Sequence, residues 1–436
     1  MRTFWRRRVG RIETTEADDA PDVTGGRSLI SGGALLALAM LGANGGNYLL
    51  NLLLGRWLTP AEFADANLMV TLMLLVTAVA APLQLVAARY VGMHEASGRP
   101  AQGAAVVAWL YRRAAVAGLV MAAIIALPAP LWSTLFRTED PWPFVLLAAG
   151  MPAYLTQSVR RGTLQGHFRF GRLAASFIAE MLARLGVAAG LVAAGFGVTG
   201  ATAGLSASFV VTWIVVRFLQ PLESADRLEP DAVRDLRRFV APTAVFLVGQ
   251  ILINNGDVLI VKAEFPRDAA GVYSAVALMG RAVFFLSWSA VATLFPAVAR
   301  REATGSNTDE LLVGGLAVVG VACGGMVAAS ALFGNLFFRS ILGPEYEAAA
   351  SMLVSYATAT SLFAVANLVV THQLSLGRTI QSRLLVIGAV GQTVLVVLAR
   401  SSLPAVVNVQ VLAMTALAAV VLGSVLLETR MTSATR

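Results

Sequence analysis

Few of the residues that carry enzyme chemistry are present in this 436-residue chain. A single cysteine, Cys323, excludes an intrachain disulfide. The three histidines, His94, His167 and His372, are far apart in sequence, so no Cys/His cluster offers ligands to a metal. Lys262 is the only lysine, and there is no phosphate loop of the Gly-x4-Gly-Lys-Ser/Thr type for nucleotide hydrolysis. Charged residues make up 13% of the chain, against about 25% in soluble proteins. No polar stretch is long enough to build a sizeable soluble core. These shortages argue against an enzyme and predict neither a cofactor nor a metal.

What the chain has in quantity is apolar residues, at 57%, with a mean hydropathy of +0.73. Runs of about 20 of them, enough to cross a hydrocarbon layer of roughly 30 Å, recur from end to end. The pattern predicts an all-α polytopic membrane protein with twelve spans: 29–53, 65–91, 106–128, 143–164, 173–195, 198–219, 239–263, 271–298, 311–337, 347–375, 383–399 and 403–427. A tight Gly-rich turn, "GFGVTG", separates spans five and six. The net charge of +8 rests almost wholly on arginine. These arginines sit between apolar runs, where they act as topology signals and do not point to nucleic acid. With the N-terminus inside, most of the 33 cations face the cytoplasm, while Arg56, Arg137, Lys262, Arg267, Arg339 and Arg400 face the opposite side. Both termini are therefore expected in the cytoplasm, and the protein in the cytoplasmic membrane.

The expected organisation is a cytoplasmic tail (1–28), a six-helix lobe (29–219), a charged cytoplasmic linker (220–238), a second six-helix lobe (239–427) and a tail (428–436). The lobes resemble each other. A shift of 207 residues sets Asn47 on Asn254, Glu95 on Glu302 and Gly98 on Gly305. A shift of 211 sets Gly166 on Gly377 and Arg172 on Arg383. Six spans per half make both halves enter the membrane from the same side, as parallel repeats related by a pseudo-twofold along its normal. Such lobes rock around a midplane site, which points to carrying a substrate across.

Within the spans, the few polar residues are the informative ones. Arg281 lies about ten residues into span eight, roughly 15 Å deep at 1.5 Å per residue. A central guanidinium costs about 2.5–3.5 kcal/mol to insert, so it needs a cavity or a partner. It is either a docking point for an anionic group such as phosphate or half of an ion pair with an acid on another span. Arg184 follows Glu180 by four residues in "FIAEMLARLG", the favourable order for a helix pair. That pair either neutralises itself or holds Arg184 towards a cavity. Asn254 and Asp257 share a face of span seven, and Asn47, with Asn44 and Asn51, occupies the matching depth in span one. Asp257 is a candidate for coupling to H⁺ or Na⁺, as is Glu180; alternatively it caps its span by pairing with Lys262. These two are the acids that read as clearly buried. In span ten, His372 reads as interfacial. Arg89, Arg160, Arg161, Arg169 and Arg172 gather near the cytoplasmic mouth, as the positive-inside bias already requires.

The stretches "GRWLTPAEFADANLMV", "LQGHFRFGRLAASFIAEMLARL", "NNGDVLIVKAEFPRDAAGVYSAVALMGR" and "LFPAVARREATG" resemble the polysaccharide-exporter (Wzx-type flippase) branch of the multidrug/oligosaccharidyl-lipid/polysaccharide superfamily. The likeness runs from about residue 29 to 427. It implies a MATE-like fold, two six-helix lobes around a V-shaped cavity. It also implies translocation of a polyprenyl-diphosphate-linked oligosaccharide, or a related cell-surface glycolipid, by alternating access. The implied partners are that lipid-linked cargo, membrane lipids, and the glycan polymerase and glycosyltransferases of the same pathway. By position, Arg281, Arg184, Asn47 and Asn254 would line the substrate cavity, and Asp257 and Glu180 would serve ion coupling. Two other functions compete: a cation-coupled multidrug antiporter of the same fold, which needs a negative cavity, and a membrane glycosyltransferase, polymerase or ligase, which needs a catalytic acid or a folded outer loop.

Overall fold

The computed structural model describes the backbone of residues 26–222, 230–283, 309–376 and 380–434. Among these residues there is no strand. Twelve long helices and one short one follow in chain order. The first half holds α1 (Gly26–Trp57), α2 (Pro60–Ala96), α3 (Pro100–Ala126), the short α4 (Ala129–Leu135), α5 (Trp142–Gly166), α6 (Phe170–Leu191) and α7 (Gly197–Leu219). The second holds α8 (Pro230–Glu264), α9 (Arg267–Gly280), α10 (Asp309–Phe337), α11 (Ala350–Ser375), α12 (Ile380–Leu398) and α13 (Leu403–Ala434).

Eleven of the twelve expected spans fall on one long helix each, and the described part of span eight falls on α9 and the residues just after it. Nine stretches among the described residues are long and apolar enough to cross a membrane, one of them covering both α6 and α7. Absent from the nine are α5, which carries Arg160 and Arg161, and α9, described over 14 residues. The protein is a multi-pass helical membrane protein. α8 already begins at Pro230, within the stretch expected as linker, because proline fits a first helical turn; this extends the helix about two turns beyond its apolar run. The N-terminal tail to residue 25, residues 223–229 of the linker, the remainder of span eight with its connection (284–308, including Glu302 and Gly305), and residues 377–379 lie outside the described residues.

Local chemistry sets the helix ends. Thr59 and Glu62 form a capping box at the start of α2: the Thr59 hydroxyl accepts from the Glu62 amide at 3.3 Å, and the Glu62 carboxylate accepts from the Thr59 amide at 2.9 Å. Between α6 and α7, Gly195 (φ 89°) and Gly197 (φ 48°) take the left-handed backbone that reverses the chain, where the Gly-rich turn was expected.

α2 is the helix on which the halves meet. α3, α5 and α7 pack on it from the first half, and α8 and α9 from the second. Its residues 63–69 are all buried, with no solvent-facing or lipid-facing side. Gly271 of α9 lies directly on the start of α2; a β-carbon there would come 2.0 Å from the Pro60 carbonyl oxygen, so the approach requires glycine. One apolar cluster joins Leu54, Leu58 and Phe63 of the first half to Val258, Val261, Ala270 and Tyr273 of the second. Lipid is as apolar as these side chains, so close packing, and not escape from water, holds such helices together. Leu38, Val321 and Leu332 point outwards at 68%, 77% and 75% exposure, as lipid-facing residues do.

Candidate functional site

A hollow of about 470 Å³ is bounded by α1, α2, α6 and α7 of the first half, with Leu278 and Ala282 closing it from the second. Asn44, Asn47 and Asn51 project into it from α1, spaced three and four residues apart and so on one face. Tyr48, Thr202 and Arg184 complete its polar lining, while Leu41, Leu54, Met69, Met73 and Leu205 form apolar walls. The cavity therefore has one polar cationic wall and several greasy ones.

Arg184 is positioned by bonds to three helices. Its Nη1 donates to Asn47 Oδ1 on α1 at 2.9 Å, and its Nε to Ser208 Oγ on α7 at 3.3 Å. Its Nη2 donates to Glu180 Oε1, one turn earlier on α6, at 2.5 Å. The i,i+4 pair legible in the sequence is thus formed, but it does not neutralise itself. The other oxygen of Glu180 takes Arg161 Nη1 of α5 at 2.7 Å. One carboxylate serves two guanidiniums, so the cluster keeps a net positive charge, and Arg184 is its member on the cavity wall.

Arg281 stands elsewhere. It follows the last residue of α9, with Nη1 donating to Asn255 Oδ1 at 2.9 Å, Nε to Tyr356 Oη at 3.1 Å, and Nη2 lying 3.3 Å from Asp257 Oδ1. The hydroxyls of Tyr273 and Tyr356 both donate to Asp257 Oδ2 at 2.8 Å, and Gln410 donates to the Tyr273 hydroxyl. Of the two readings of Arg281, the coordinates carry the ion pair with an acid on another helix. The hollow beside it, shared with Asn254 and Tyr356, measures only about 20 Å³. Asn254 donates to the Gln250 carbonyl of its own helix at 3.0 Å. Arg184 and Asn47 are therefore brought together at the large cavity; Arg281, Asn254 and Asp257 are grouped apart from it.

Two expectations are corrected. Asp257 does not pair with Lys262: five residues along a helix place the two on different faces, and Lys262 instead meets Asp65 of α2 at 2.5 Å. Asp65, 2% exposed, is a third buried acid beside Asp257 and Glu180; it sits where span two was expected to begin, so it passed for a flank. His372 is 1% exposed, because α11 is packed between α10 and α13. The arginines expected at a mouth also have local work. Arg160 and Arg169 donate to Gln220, and Arg172 to the Leu219 carbonyl, at the C-terminal end of α7, where cations complement the exposed carbonyls. Sequence reasoning missed Arg161 as the second partner of Glu180; nothing in its local sequence marks a residue 19 positions away as its acid.

Fold and site together define a multi-pass helical protein built like the transporters of the multidrug/oligosaccharidyl-lipid/polysaccharide superfamily. The model of one family, described as polysaccharide biosynthesis protein, matches residues 53–351, and the chain belongs to that family. It is similar to uncharacterized protein Rv1510 of Mycobacterium tuberculosis (strain ATCC 25618 / H37Rv), 28% identical over 60% of this chain and 60% of that one. The chain thus spans about three fifths of the length of the curated relatives it matches. Among solved structures it is similar to a multidrug resistance MATE family transporter in an inward-facing conformation, with a TM-score of 0.76 and 14% identity, covering 88% of this chain and 94% of that one. It is also similar to the lipid II flippase MurJ in an inward closed conformation, with a TM-score of 0.72 and 10% identity over 90% and 87%. At these identities the likeness concerns the fold.

Proposed function

We propose that this protein moves a lipid-linked oligosaccharide, joined to its polyprenyl carrier through a diphosphate, across the cytoplasmic membrane by alternating access, with both termini in the cytoplasm. The observation that carries this reading is the unbalanced Arg161–Glu180–Arg184 cluster, which leaves a net cation on the wall of the large cavity beside Asn47. In a site of low dielectric such a charge attracts a diphosphate far more strongly than it would in water, and the asparagines supply donors and acceptors for sugar hydroxyls. The apolar walls suit the first segment of the carrier. The lobes expected from the repeat, 29–219 and 239–427, would be the rocking bodies, with the glycan's polymerase and glycosyltransferases acting before and after transport. A multidrug antiporter of this fold would take cationic cargo and needs acids around it; the described lining of this cavity has none. Under this reading Asp257, enclosed by Arg281 and two tyrosines, acts in support of the fold, and ion coupling falls to Glu180 or to no residue.

The test is a flipping assay in liposomes loaded with polyprenyl-diphosphate glycans. Arg184→Ala should lower the initial rate at least about tenfold, the loss of a charge-assisted contact of roughly 1.5–3 kcal/mol. Parental flipping by a well-folded Arg184→Ala protein would reject the assignment.

A further inference from the structure

A second ion cluster, outside the cavity's polar wall, ties one half of the chain to the other. Lys262 lies in the last turn of α8 and Arg267 opens α9. Lys262 Nζ lies 2.5 Å from one carboxylate oxygen of Asp65, and Arg267 Nη2 lies 2.8 Å from the other. Arg267 also reaches Glu139, in the connection between α4 and α5, at 3.1 Å. Lys262 donates in addition to the Arg137 carbonyl at 3.5 Å. Asp65 and Lys262 are 2% and 1% exposed.

Two features set this cluster apart from a packing ion pair. Both acids come from the first half and both cations from the second, so each pairing crosses between the halves. Within the four side chains the charges also balance, two against two, with Arg137 a further cation of the first half acting on Lys262. The next residue after Asp65, Ala66, lines the large cavity, so the cluster stands at the end of that cavity where the α1–α2 and α8–α9 turns lie. Gly271 presses on Pro60 at the same end, and the shared apolar cluster of Leu58, Phe63 and Val261 is there too. Parting the halves at this end would strip Asp65 of both cations and strand the buried ammonium of Lys262, an unfavourable step unless water enters.

We propose that Asp65, Lys262, Arg267 and Glu139 form a latch that closes one end of the cavity and must open once in every transport cycle. This rests on the alternating-access part of the function proposed above, but not on the identity of the cargo. The closed and open states then exchange, and the rarer of two such states is typically about 0.1–10% populated.

The test uses full-length protein in vesicles, with Cys323→Ala removing the native thiol and Asn51→Cys placing a reporter in the cavity. A membrane-impermeant maleimide is added on the side that bears the α1–α2 turn. Labelling should be slow in this background and about tenfold faster with Asp65→Asn or with Lys262→Met, as the open population rises. The apolar pair Asp65→Leu with Lys262→Met should return it to slow labelling. Parental labelling rates in folded single variants would overturn the latch. Should the single variants unfold, Asp65→Cys with Lys262→Cys, joined by a short reducible bifunctional reagent, gives the answer. Cross-linking should stop flipping, and reduction should restore it; undiminished flipping by the cross-linked protein would overturn the proposal. Failure of the un-cross-linked protein to flip the glycan rejects the cargo instead, and leaves the labelling experiment to decide the latch.

Discussion

The two halves of the chain each bury an arginine in an ion cluster, yet the clusters differ in balance. In the first half Glu180 is shared by Arg161 and Arg184, and the excess cation lines a cavity of about 470 Å³. In the second half Asp257 faces the single Arg281, and two tyrosine hydroxyls satisfy its remaining oxygen. Among the described residues that cluster is neutral, and the hollow beside it measures about 20 Å³. A guanidinium in a membrane span is therefore no marker of a binding site by itself. What matters is whether the acids around it are outnumbered and whether it has space in front of it.

The largest effect that would break this contrast is expected from Asp257→Asn. It leaves Arg281 buried without its carboxylate, and removing one partner of a buried pair costs about 3–5 kcal/mol. Thermal unfolding in detergent should show a marked fall; an unchanged midpoint would mean the second cluster does not hold the fold. Next comes the exchange of roles between the two arginines. Arg281→Met should destabilise by roughly 1–3 kcal/mol, the usual cost of leaving buried partners unmatched, while the surviving folded protein still flips. Arg184→Ala should do the reverse, keeping most of its stability because Glu180 retains Arg161 at 2.7 Å. If flipping rates fall more for Arg281→Met than for Arg184→Ala at equal folded protein, the two sites have been assigned the wrong way round. A smaller change is expected from Arg184→Lys, which keeps the charge but loses the planar fork; its flipping rate should fall between those of Arg184→Ala and the parent. The smallest is Tyr356→Phe, which removes one donor to Asp257 at a cost of about 1 kcal/mol and should leave flipping intact, as measured by melting and transport side by side.

Much of the fold was legible before any coordinates. The apolar runs and the glycines of the α6–α7 turn are local, and local sequence specifies them. The Glu180–Arg184 pair was legible for the same reason, since residues four apart on a helix are neighbours. Its third member was not: Arg161 reaches Glu180 only because α5 and α6 fold back on each other. Asp65 was hidden by its place near a span end. Its burial depends on α8 and α9 arriving from the other half, with Gly271 leaving room for the approach.

The sequence by itself determined that this is a helical membrane protein with twelve long helices, and which of its rare polar residues lie within them. Hydrophobic runs and helical spacing are properties of neighbouring residues, so one dimension suffices to read them. Only the tertiary structure decided that Arg184 shares its carboxylate with Arg161 and lines the large cavity while Arg281 faces Asp257 away from it, and that Lys262 belongs to Asp65 and not to Asp257. Charge pairing between helices depends on which faces meet, and the chain's linear order does not record that.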